Sequence, residues 1–136
     1  MVLALDQGTK HWIVTHLPLH ESFTLLPFLD IHHVRNTGAA FSLLPGGGWL
    51  FMSVAVVVLV GLALSWHKVR EVDALTAVAL GTIAGGTVGN LIDRMRFAYV
   101  VDFLDLRWWP VFNVADSGIC VGVALLMWKI AKPARD

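Results

Sequence analysis

Two long stretches without a single charge limit this chain more than anything else in it. WLFMSVAVVVLVGLALSW, from Trp49 to Trp66, carries none, and ALTAVALGTIAGGTVGNLI, from Ala74 to Ile92, lies uncharged between Asp73 and Asp93. A hydrocarbon core roughly 30 Å thick takes about 20 apolar residues of helix to cross, so both stretches predict transmembrane helices. A third apolar run, Val114 to Ile130, is interrupted only by Asp116 near its start and Lys129 near its end; it predicts a span with a polar mouth. Backbone exposed to lipid must satisfy its own N–H and C=O groups, which makes these segments helical, and no alternation suited to a β-barrel is visible. Composition agrees, since only 15% of the 136 residues are charged, against about 25% in ordinary soluble domains. Ten basic and ten acidic residues cancel to a formal charge of zero, leaving no basic footprint for nucleic acid, and so apolar a chain is not disordered. Cys120 stands alone and no CxxC or HExxH string occurs, so neither an internal disulfide nor a zinc site is expected.

The first residues, MVLALDQGTKHWIVTHL, make half a span, because Asp6 and Lys10 follow only a short apolar start. They lack the basic start and small-residue cleavage site of a secretory signal peptide, and predict a shortened first helix. Lys and Arg near the span ends divide five against four: Lys68, Arg70, Lys129, Lys132 and Arg135 oppose Arg35, Arg94, Arg96 and Arg107. The first group marks the cytoplasmic side under the positive-inside rule. Pro18 to Gly48 and Asp93 to Asn113 then lie on the other side and hold most of the polar residues. Within the first, alternation in FLDIHHV, the break at Pro27 and an Asn-Thr-Gly turn signal predict a small strand pair at the membrane surface. No repeat or linker divides the chain, so residues 1–136 are expected to form a single integral-membrane domain.

Ionisable groups at membrane depth are costly and mark function. Asp93 and Arg94 close one predicted span, Asp102 sits in VVDFLD, and Asp116 opens the last span in FNVAD, all at one face of the bilayer. The apolar neighbours of Asp102 are expected to raise its pKa, while the first turn of a helix stabilises a carboxylate such as Asp116. Two carboxylates held close share a proton and can act as general base and general acid. The alternative reading of the same residues stays open: Asp102 pairs with Arg96 or Arg107, and Asp116 caps its helix. Other chemistries are weaker. Cys120 has no base near it in sequence, a Ser–Lys nucleophile has only Lys10 to use, and adjacent His32 and His33 point to opposite faces of a strand, which suits surface residues better than one metal. The Gly85/Gly89 pair fits close helix packing, and Trp49, Trp108 and Trp109 fit an interfacial aromatic belt.

The ordered blocks DQGTK (Asp6 to Lys10), RNTGAAFS (Arg35 to Ser42), GGTVGNLIDR (Gly85 to Arg94), VVDF (Val100 to Phe103) and FNVADS (Phe112 to Ser117) resemble those of the lipoprotein signal peptidases, or signal peptidase II. The resemblance implies a membrane all-α fold, a four-helix transmembrane bundle with its first helix shortened here and a small extracytoplasmic β cradle over about Pro18 to Leu44. It implies an aspartic endopeptidase of the bacterial inner membrane. Such an enzyme works on the extracytoplasmic face and cuts a prolipoprotein just before its diacylglyceryl-modified cysteine. Asp102 and Asp116 match the catalytic aspartates, and Asn36, Asn90, Arg94 and Asn113 match positions that surround them and bind substrate or the inhibitor globomycin. Asp6 and Lys10 match a block of structural role, and Asp93 is expected to support the fold or the orientation of Arg94. No cofactor is implied; the expected partners are the prolipoprotein, membrane lipid and globomycin, with the chain acting as a monomer. The competing expectation is a small non-enzymatic transporter or channel subunit with a carboxylate-lined path.

Overall fold

A computed structural model describes residues 1–38, 48–69 and 71–132. The predicted spans become α2 (Gly48–Leu64), α4 (Ala74–Phe97) and α5 (Val114–Ala131), preceded by α1 (Val2–His16), with a one-turn helix α3 (Trp66–Val69) after α2. The four longer helices bear out the expected helical membrane bundle. Both α4 and α5 are long and apolar enough to cross a membrane. At 17 residues, α2 rises about 26 Å; it stops at Leu64 rather than running on to Trp66, and Ser65 turns the chain into α3. In the other direction α4 outruns its predicted end at Ile92 by more than a turn. It stops only where Ala98 takes a left-handed conformation at φ 62°, the usual way to close a helix.

The predicted strand pair is β1 (Ser22–Leu26) and β2 (Leu29–Asn36), a tight hairpin in which Leu26 faces Leu29. A third strand, β3 (Val100–Asp105), was not anticipated. It pairs antiparallel with β2, Val34 opposite Asp102 and Asn36 opposite Val100, and gives a sheet of order β1-β2-β3. The core under the sheet is Ile31, Val101 and Phe103 against Ile13 of α1, so the sheet is seated on the first helix. Ala39 to Leu44, the apolar run after the Asn-Thr-Gly turn, lies outside the described residues, as do Arg70 and Arg135.

The helices α4 and α5 approach closely at glycines. A Cβ on Gly86 would land on the Ala115 carbonyl oxygen, and one on Gly122 would lie 2.5 Å from Thr82 Oγ1 and 2.6 Å from the Ala79 carbonyl oxygen. The Gly85/Gly89 pair instead faces α1: a Cβ added to Gly85 would lie 3.3 Å from Val2 Cβ, and one added to Gly89 would lie 2.5 Å from Asp6 Oδ2. Close packing was expected of these glycines. The structure divides it between two partner helices.

Candidate active site

Four elements meet at one end of the bundle. Asp102 comes from the middle of β3, Asp116 from the first turn of α5, Asn36 from the end of β2 and Asn90 from α4. Asn113 caps α5: its Oδ1 accepts from Asp116 N at 2.9 Å while Asp116 Oδ2 accepts from Asn113 N at 3.2 Å, a reciprocal capping box. That box satisfies backbone donors a helix start leaves free, so the capping role read for Asp116 is real. It uses one of the two carboxylate oxygens. The other, Oδ1, accepts from Asn90 Nδ2 at 2.7 Å.

Asp102 is 2% exposed and pairs with neither Arg96 nor Arg107. Arg107 makes a two-pronged bond to Asp30, with Nε at 2.8 Å and Nη2 at 2.7 Å, which holds the Asp30 carboxyl down to about 2. Asp102 is held by amides instead: Asn36 Nδ2 donates to Oδ2 at 2.9 Å and Asn113 Nδ2 to Oδ1 at 2.7 Å. Burial pushes its pKa up to about 6, with the Asp116 carboxylate adding to the rise and the two amide bonds and Lys10 opposing it. Desolvation therefore outweighs hydrogen bonding here.

Both carboxylates open onto space. A cavity of about 470 Å³ among α2, α4 and α5 is walled largely by apolar side chains, including Phe51, Val58 and Ile83, and reaches Asn36, Asn90, Arg94 and Asp116 at its polar end. A second cleft of about 230 Å³, bounded by Val34, Pro110 and Val111, reaches Asp102. Asn36 borders both. Arg94 stands at the cavity with its guanidinium 5.2 Å from the centre of the Phe51 ring and Nη1 3.5 Å from the Asn90 carbonyl oxygen.

Behind this layer sits a buried ionic cluster. Lys10 Nζ lies 2.9 Å from Asp6 Oδ2 and 3.0 Å from Asp93 Oδ2, and donates to Asn90 Oδ1 at 2.9 Å. Asp6 Oδ1 accepts from Ala115 N at 2.9 Å and Asp93 Oδ2 from Val101 N at 3.1 Å. The two acids thus tie α1 and α4 to the starts of the elements that carry Asp116 and Asp102. No hydrogen bond links Asp93 to Arg94 among the described residues, so its contacts serve β3 and α1. Gln7 was missed by the sequence reading; its Nε2 donates to Asp93 Oδ1 at 3.0 Å and Gly89 O at 3.2 Å. Only its place inside the DQGTK block marked it.

The histidines depart from expectation. His32 is half-buried and sits 3.1 Å from Asp105, but His33, expected at the surface, is 3% exposed with Nδ1 2.7 Å from the Leu17 carbonyl oxygen. It stands two residues after the buried Ile31, and the alternation of β2 sets both on the inner face. Among the described residues no group of His, Cys, Asp and Glu is arranged to hold a metal ion, and Cys120 is exposed on α5.

An apolar helix bundle topped by a small sheet, with amide-held carboxylates at its mouth, defines a helical membrane protein equipped for acid–base chemistry. The sequence profile of signal peptidase II matches residues 1–132. A lipoprotein signal peptidase of Moorella thermoacetica is 43% identical over all of this chain and 91% of its own length; that of Syntrophotalea carbinolica is 46% identical over 93% of this chain and 84% of its own. Among solved structures, a bacterial membrane enzyme determined in meso at 1.9 Å resolution superposes with a TM-score of 0.89 at 34% identity, covering 98% of this chain and 89% of the other. The chain belongs to the signal peptidase II family. It is a membrane-bound protease, and the transporter or channel alternative is not favoured.

Proposed function

We propose that this chain cleaves bacterial prolipoproteins just before their diacylglyceryl-modified cysteine, with Asp102 and Asp116 as the catalytic pair. The observation that carries the reading is Asn113, which donates to one carboxylate through its side chain and caps the other through its backbone, so that a single residue sets both acids. In the proposed mechanism the pair shares one proton and binds the attacking water. One carboxylate takes a proton from that water as it attacks the scissile carbonyl; the other donates to the leaving amine. Asn36, Asn90, Asn113 and Arg94 hold the peptide backbone in register with the pair, and the apolar cavity takes the lipid-soluble part of the substrate. Asp6, Lys10 and Asp93 support that layer from behind.

The same reading puts the enzyme in the bacterial inner membrane, working as a monomer with its sheet end outside the cytoplasm, and makes globomycin an occupant of the cavity. Purified protein in detergent, given a diacylglyceryl-modified prolipoprotein, tests it by mass spectrometry of the products. Cleavage leaving the lipidated cysteine at the new N-terminus, blocked by globomycin and unaffected by EDTA, is the expected result. A cut elsewhere, or loss of cutting in EDTA, contradicts it.

A further inference from the structure

Every amide around the two carboxylates must face the right way, because a carboxamide turned end for end offers its oxygen where its NH2 is needed. Asn36 is turned by its own chain: its Oδ1 accepts from Gly38 N at 2.9 Å, where Gly38 takes φ 87°. Asn113 is turned by its cap, through Asp116 N. Asn90 lies within α4, where neighbouring backbone N–H groups are already used by the helix. Its orientation has to come from another element.

We infer that Lys10 is a positioning residue for the cleavage reaction, its ammonium fixing the Asn90 carboxamide so that the NH2 faces Asp116. This rests on the reading of Asp102 and Asp116 as the catalytic pair. The ammonium is buried and places its three donors on Asp6, Asp93 and Asn90. Asn90 Oδ1 receives two of the site's donors, Lys10 Nζ at 2.9 Å and Asn113 Nδ2 at 3.1 Å. Reversing the amide would set its NH2 against both of these donors and its oxygen against the Asp116 carboxylate, now 2.7 Å from Nδ2. The simpler role, neutralising Asp6 and Asp93, is also filled by Lys10, but it does not involve Asn90.

A double-mutant cycle separates the two roles. Asp6→Asn serves as the background, so that losing the lysine charge leaves the buried cluster no more negative than before; Lys10→Met and Asn90→Leu are added singly and together. The full chain in detergent is assayed on a diacylglyceryl-modified prolipopeptide, with thermal unfolding as the folding control. Each single change is expected to lower kcat about 10- to 100-fold, because both take the oriented Asn90 NH2 away from Asp116, and Lys10→Met, which touches no substrate, should leave KM within about threefold. The pair together should be no worse than the poorer single by more than about threefold. Losses that multiply, or that follow unfolding temperature, overturn the inference. Lys10→Gln replaces Lys10→Met in the cycle if the latter does not fold. Asp102→Asn and Asp116→Asn run alongside: if these remain active, the reading of the pair itself fails, whereas dead aspartate variants with a multiplicative cycle overturn only the role of Lys10.

Discussion

Asp102 shows how a single side chain carries opposed demands. Its carboxyl is raised to about 6 chiefly by burial, from an unfolded value near 3.8, so the folded chain holds the proton more tightly. Stability contributed by this group is therefore greatest in acid, falls as pH rises from about 4 to about 6, and is gone above that. The shift corresponds to about 3 kcal/mol at most, and thermal unfolding in detergent should show the slope in the native chain and lose it in Asp102→Asn. A native chain with no such slope contradicts the assigned burial. Asn113 separates in a similar way. Asn113→Ser keeps a helix-capping oxygen but loses the buried amide donor to Asp102 and Asn90, so stability should fall by about 1 to 3 kcal/mol in thermal unfolding and kcat by at least about tenfold. Asn113→Ala should lose both.

At the scale of elements, the α4/α5 contact is set by glycine. Gly86→Ala would press a methyl group onto the Ala115 backbone and is expected to cost about 2 kcal/mol by overpacking. Gly81 has nothing within 4 Å, so Gly81→Ala should be neutral or gain up to about 1 kcal/mol from helix propensity. Equal effects in a thermal-unfolding series would contradict the packing described. Helices α2, α4 and α5 were legible because long uncharged runs in lipid leave the backbone one choice. The strand β3 was not. VVDFLD is short and lacks strict alternation, and its pairing partner β2 lies more than sixty residues away, so tertiary context decides it. The same limit hid the depth of His33, which shares the inner face of β2 with Ile31, and the split between Gly85 and Gly89, which meet α1, and Gly86, which meets α5.

For the molecule as a whole, the residues gathered at the candidate site were legible as ordered blocks, while their geometry was not. No spacing rule places Asn36 beside Asp102 or Lys10 beside Asn90; those contacts span 66 and 80 positions and exist only once the sheet is seated on the bundle. The cavity between α2 and the α4/α5 pair gives a further test. Val58→Trp should fill part of its roughly 470 Å³ and raise KM for a lipidated substrate severalfold while kcat stays within about twofold, the pattern of lost binding rather than lost chemistry. The proposed function stands or falls on Asp102 and Asp116 acting as one catalytic unit. Its most direct measurement is kcat of Asp102→Asn, Asp116→Asn and the double variant, each shown to be folded, on a diacylglyceryl-modified prolipoprotein. Each single change is expected to abolish cleavage to within about the same residual level as the double. A folded single variant that still cuts at a substantial fraction of the native rate would contradict it.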